Sequence, residues 1–273
     1  MMRPTVLAVP VLMLSAAAGA RAQEMPTSQP ALLTIIVEEI KVGRGADHAV
    51  NEAGWPKAFE KSKSPTTYLA LASVTGAPQV WYVVPYTSYA QEAEDNQRNQ
   101  ADPVLSAELE RLAKADAEYL DGTRTIQAVA RPDLSHGAFP DIARARYWDI
   151  TTFRVKPGHG MAFEEAAKAY AAAAERVAPG EVSYRTYEVV AGMQGPTYLV
   201  FASVTGYAEY DKMMATGNRL WQSMTPQERA VFEKYGKEAE LSTLNNRFAL
   251  DPKMTYVSAA TRATDPAFWN RNP

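Results

Sequence analysis

The chain has 273 residues, no cysteine, and 28 basic against 31 acidic residues, a formal net charge of −3. The missing cysteine excludes a disulfide framework, a thiolate metal site, a lipid-modified cysteine and a thiol nucleophile. The slightly acidic balance, with basic residues scattered rather than run together, gives no footprint for nucleic acid or anionic lipid.

At the N-terminus, Arg3 precedes an apolar run from Thr5 to about Ala20, and Ala20-Arg21-Ala22 fits a small-x-small cleavage site. Residues 1–22 therefore read as a secretory signal peptide, with the mature chain starting at Gln23 and a secreted or periplasmic destination. Pro10 and a run shorter than the roughly 20 residues of a spanning helix argue against a retained membrane anchor. Absence of cysteine suits an oxidising compartment. No later stretch is long and apolar enough to span, so no membrane contact is expected after cleavage. The oligomeric state stays open.

Residues 31–131 read as a first unit. Leu32 to Val42 is rich in β-branched residues and predicts a strand. Gly45 marks a turn into a helix with Asp47 as N-cap, and Pro56 should break that helix after Trp55. Thr67 to Val74 and Val80 to Tyr86 flank Gly76-Ala77-Pro78 as a hairpin. Ser88-Tyr89-Ala90-Gln91 is a capping box opening one longer helix to about Tyr119. Thr123 to Arg131 closes the unit as a strand.

A linker follows at 132–145, marked by Pro132, Gly137 and Pro140. Residues 146–250 repeat the pattern. Tyr147 to Val155 predicts a strand, His159 to Val177 an alanine-rich helix, and Ser183 to Val190 with Thr197 to Val204 a hairpin. A helix from near Gly206 restarts at the capping box Thr225-Pro226-Gln227-Glu228, with proline at the first helical position. Leu241 to Leu250 is the last strand. In the tail, 251–273, Phe268 and Trp269 are expected to anchor the chain end.

The two units align in sequence. Val42-Gly43-Arg44-Gly45 matches Val155-Lys156-Pro157-Gly158, placing Gly45 on Gly158, and Glu52-Ala53 matches Glu165-Ala166. Tyr68 and Gly76 match Tyr184 and Gly192; Thr87 to Ala90 matches Thr205 to Ala208; Thr125 matches Thr243. The order strand, helix, strand, strand, helix, strand, read twice, is an α+β class of two tandem ferredoxin-like βαββαβ units. Each four-stranded sheet has one face without helices, and the second copy can cover it.

Val155-Lys156-Pro157-Gly158 leading into a helix with Phe163-Glu164 resembles the dimeric α+β barrel superfamily, which includes antibiotic-biosynthesis-type monooxygenases and haem-degrading relatives. The resemblance implies two sheets facing each other as a barrel, here made within one chain. It implies chemistry on polycyclic aromatics without a metal, or on haem. No catalytic residue of that superfamily maps onto this sequence position by position.

No phosphate-binding, dinucleotide, zinc-protease or nucleophile-elbow motif is present. His48, His136 and His159 stand apart from one another and from carboxylates at ligand spacing, so no metal site is expected. His48 and His159, near helix starts, are expected exposed or locally hydrogen-bonded. No cofactor is predicted, and haem held by a lone axial histidine is the remaining possibility. The alignment shows an asymmetry: Leu33, Ile35, Leu69, Leu71 and Ala72 face Arg146, Trp148, Arg185, Tyr187 and Glu188. Polar and aromatic groups replacing aliphatics suggest that the second unit lines a ligand site, with end-of-strand ion pairing as the alternative. The candidate ligand-binding residues are Trp148, Tyr184, Thr186, Glu188 and Tyr198. Glu188, partly desolvated, is the candidate general base or anchor. The expected function is binding of a small aromatic or apolar molecule. The alternatives are a monooxygenase-like enzyme, cofactor-free or haem-dependent, and an interaction protein with a filled barrel.

Overall fold

The computed structural model describes residues 24–270; the expected signal peptide, 1–22, lies outside them. The first half holds β1 (Leu32–Ile40), α1 (Gly45–Glu52), α2 (Gly54–Lys61), β2 (Leu69–Ser73), β3 (Gln79–Tyr86), α3 (Tyr89–Ala101), α4 (Pro103–Asp116) and β4 (Leu120–Ala130). The second holds β5 (Tyr147–Val155), α5 (Gly160–Val177), β6 (Arg185–Ala191), β7 (Thr197–Val204), α6 (Glu209–Gln222), α7 (Pro226–Lys234) and β8 (Glu240–Leu250). Two short tail helices follow, α8 (Ala259–Ala263) and α9 (Pro266–Trp269). None of the described helices is long and apolar enough to cross a membrane.

The strands close into one antiparallel barrel in the order β1-β3-β2-β8-β5-β7-β6-β4. Each half contributes a four-stranded sheet, and the β2–β8 and β4–β6 pairings join them. Alternation along the strands sends one set of side chains inward. Leu33, Ile35, Leu71, Trp81, Ile126, Trp148, Leu199, Phe201 and Phe248 meet there as the central core. The barrel is therefore filled. A residual cavity of about 60 Å³ at one mouth touches Met25, Phe139, Trp148 and Tyr187. The helices cover the outer faces of the two sheets.

Two helix boundaries differ from the sequence expectation. The first helix breaks at Ala53 rather than after Trp55: Pro56 cannot bond to, and its ring crowds, the carbonyl four residues back, so the strain falls ahead of the proline. The single long helix expected from Tyr89 is two. Asp102 leaves helical geometry and accepts hydrogen bonds from the Val104 and Leu105 amides, with Pro103 opening α4. The capping box at Thr225 forms as expected; at Ser88 the hydroxyl accepts from the Gln91 amide, and the Gln91 side chain accepts from the Thr87 amide.

Strand pairing also moves the correspondence between the halves. Ile35 pairs with Val83 and Ile126, and Ile150 pairs with Phe201 and Asn246. Ile35 thus sits where Ile150 does, and Leu33 where Trp148 does. Gly43, not Gly45, is the counterpart of Gly158; both adopt positive φ, +83° and +84°. The sequence alignment is two residues out at the first strands and again at the last, where Thr125 corresponds to Asn245 rather than Thr243; a slip of two keeps each residue on its own face and so leaves the hydrophobic pattern intact. The hairpins match as expected, with Gly76 and Gly192 at φ +82° and +85°.

Candidate functional site

The second half packs its helices on its sheet with small residues. Ala166 and Ala167 of α5 face Asp149, Thr151 and Phe153 of β5 and Val200 and Ala202 of β7. In the first half the same layer is filled by Phe59, Tyr68, Tyr82, Tyr86, Leu105 and Leu112. The difference in side-chain volume leaves a cavity of about 1040 Å³ between the second sheet and α5, α6 and α7. Seven aromatic side chains stand in its wall, among small and polar ones: Phe153, Phe163, Tyr170, Tyr184, Trp221, Phe232 and Tyr235. A space of this size matches the upper range of small-molecule sites, roughly 300–1,000 Å³.

Several polar groups of the wall are held by partners within the chain. Glu181 accepts from Arg219 at 2.8 Å, and Arg229 donates to the backbone carbonyls of Met224 and Gln222. Asp149 accepts from the Asn245 amide and lies 3.8 Å from the Arg247 guanidinium. Burial nevertheless raises its carboxyl above the ordinary value. The hydroxyls of Tyr184 and Tyr235 are buried without a hydrogen-bond partner, which costs about 1–3 kcal/mol each.

The expected ligand residues divide. Tyr184 and Thr186 line the cavity. Trp148 does not: it points into the filled barrel, edge-on to Phe201 at 6.5 Å. Tyr198 stacks on Phe163, centroids 4.1 Å apart, behind the cavity wall. Glu188 is not among the lining residues. Arg131 holds it at 2.9 Å, together with Asp133 and Glu164, so its charge is compensated and a free, desolvated base is not what the geometry gives. The space under the helices, rather than the barrel interior, is where the room lies. Arg146 and Arg185 likewise serve the chain. Arg146 pairs with Asp265 at 2.6 Å and stacks on Phe268. Arg185 donates to the carbonyls of His136, Gly137 and Tyr184.

The first half holds a second polar feature, which the sequence reading missed. His48, expected to stand apart from carboxylates at ligand spacing and to be exposed or locally hydrogen-bonded, is 1% exposed. Its Nε2 lies 2.9 Å from Glu38 Oε2 and 3.7 Å from Asp116 Oδ1. With Glu52 these residues place one potential ligand atom each within 4.8 Å of one another. Burial, with Glu38 and Asp116 nearby, pushes the Glu52 carboxyl up to about 9. Burial and Glu38 push Asp116 up to about 6. The signal that could have found them is the spacing of His48 and Glu52, four apart on one helix face.

Haem was the cofactor left open by the sequence. Among the described residues lining the cavity there is no histidine, so a haem held by an axial imidazole does not fit this wall.

The sequence matches no protein-family model, and none of the curated proteins resembles it in sequence. Solved structures do resemble it in fold. A candidate monooxygenase from Fusobacterium nucleatum subsp. nucleatum superposes with a TM-score of 0.53 at 9% identity, over 81% of this chain and 93% of that one. An anthrone oxidase-like protein gives 0.53 at 12% identity, over 83% and 94%. A candidate monooxygenase from Lactobacillus acidophilus NCFM gives 0.50 at 8% identity, over 84% and 97%. The chain has the fold of the dimeric α+β barrels. As an α+β barrel it closes all eight strands within a single chain.

Proposed function

We propose that this protein binds a small, neutral, largely aromatic molecule in the cavity of its second half. The observation that carries the reading is the cavity of about 1040 Å³ with seven aromatic side chains in its wall, set where large side chains fill the same layer of the first half. Burying an aromatic ligand there removes apolar wall and ligand surface from water, at roughly 25 cal/mol per Å². The lining acids, Asp149, Glu181, Glu209, Glu233 and Glu240, outnumber Lys212 and Arg229, which disfavours an anion. Export by the signal peptide at 1–22 and an origin of the two halves by tandem duplication belong to the same proposal.

A cofactor-free, monooxygenase-like reaction is the second reading. The fold neighbours named as candidate monooxygenases and as anthrone oxidase-like favour it, and Asp149 supplies a wall carboxylate suited to proton removal. Ala167→Trp fills the cavity from α5. It should weaken binding of the neutral dye Nile red at least about tenfold while leaving the fold intact. Asp149→Asn separates the two readings. It should leave dye binding nearly unchanged and abolish any oxygen consumption seen with anthrone. Turnover that survives this substitution would remove Asp149 from the chemistry.

A further inference from the structure

The buried His48 cluster lies outside the cavity and is not used by the binding just proposed. Its members come from three elements: Glu38 from β1, His48 and Glu52 from α1, and Asp116 from the end of α4. His48, Glu52 and Asp116 are buried, at 1%, 3% and 3% exposure. Three carboxylates gathered around one imidazole are a costly arrangement away from water. Among the described residues no lysine or arginine is ion-paired with any of the three; His48 pairs with Glu38 and Asp116, and the Asn51 amide donates to Asp116. One oxygen of Glu52, Oε1, is buried with no hydrogen-bond partner at all. Counting from the shared glycine turn, the second half carries Phe153 in place of Glu38, Phe163 in place of His48 and Ala167 in place of Glu52. That half shows the layer to be buildable from apolar groups, so burying these acids here is not a demand of the fold.

We propose that Glu38, His48, Glu52 and Asp116 bind one divalent first-row transition-metal ion. Ligand atoms that already lie within 4.8 Å of one another need to close only slightly. Bonds of about 2.0–2.2 Å hold neighbouring donors about 3–4 Å apart around one ion. One imidazole with three carboxylates suits Mn²⁺, Fe²⁺ or Zn²⁺; an all-oxygen set would favour Ca²⁺ or Mg²⁺. The ion would supply the missing positive charge and give Glu52 Oε1 a partner. It would also tie α1 and the end of α4 to the sheet. Glu38, whose side chain is 12% exposed, is the side from which an ion can enter.

The test is titration of the purified, chelator-treated protein with Zn²⁺ and with Mn²⁺, followed by calorimetry and by the electron paramagnetic resonance of bound Mn²⁺. One equivalent should bind, Ca²⁺ and Mg²⁺ should not compete, and the melting temperature should rise on loading. His48→Ala and Glu52→Gln should each weaken the site at least about 100-fold. Glu38→Gln, at the more accessible edge, provides a variant whose folding is least at risk. Circular dichroism in chelator checks that all three remain folded. Absence of stoichiometric Zn²⁺ or Mn²⁺ binding overturns the proposal. Binding unchanged in the folded Glu38→Gln and Glu52→Gln variants overturns it equally, because the ion would then sit elsewhere.

Discussion

Glu52 is a carboxyl whose protonation the fold controls. Its folded pKa, about 9, stands above the ordinary value of 4.5, so the folded chain holds a proton that the unfolded chain gives up. The stability tied to that neutral carboxyl is fully present below about 4.5 and is lost as pH rises through about 9. In chelator, the wild-type melting temperature should therefore fall between pH 5 and pH 9 more steeply than that of Glu52→Gln, whose amide does not titrate. Parallel melting curves for the two proteins would contradict it. The cluster shows what a linear sequence hides: His48 and Glu52 share a helix face by spacing, but Glu38 and Asp116 arrive from a strand and a distant helix end. The same limit applied to Glu188. Strand alternation put it on one face with Tyr184 and Thr186, but the sequence pointed that face into the barrel; the barrel interior takes Tyr187 instead, and Arg131, the partner of Glu188 from beyond β4, was not legible.

At the scale of elements, turns and caps were the most legible part of the chain. The Ser88 N-cap, the Thr225 capping box and the hairpin glycines act locally, so their chemistry can be read without tertiary context. The Asp102-Pro103 break carried the same kind of signal, an N-cap residue followed by proline, and was passed over. The register between halves was harder, because a two-residue shift preserves which face each side chain takes. Gly192 shows how demanding the hairpin is. It holds φ +85°, and a Cβ there would lie 2.0 Å from the Thr125 carbonyl oxygen. Gly192→Ala should destabilise the protein by roughly 2 kcal/mol or more in denaturant unfolding. A loss below about 0.5 kcal/mol would mean that the β4–β6 contact yields more easily than its geometry indicates.

For the whole molecule, the barrel is closed by pairing between the halves and sealed by the chain end. Arg146 holds Asp265 and Phe268, and the Trp269 indole donates to the Ala143 carbonyl at 3.1 Å. Phe268 and Trp269 join the same core as the barrel interior, so the tail packs as part of the barrel rather than on a remote surface. Trp269→Ala should cost about 3–5 kcal/mol, the range for deleting a large buried aromatic, and a loss under about 1 kcal/mol would show the tail to be dispensable. The fold class was readable because strand and helix periodicities repeat in one order. The site was not, because the cavity arises from side-chain volumes summed over α5, α6 and two strands, a quantity no single residue reveals.

The most direct test of the binding reading is a fluorescence titration of the purified protein with Nile red, with anthrone as competitor. The account predicts saturable binding of one dye per chain with blue-shifted emission, competition by anthrone, and at least about a tenfold loss of dye affinity in Ala167→Trp. Unsaturable binding, or an affinity that Ala167→Trp leaves unchanged in a folded protein, would contradict it.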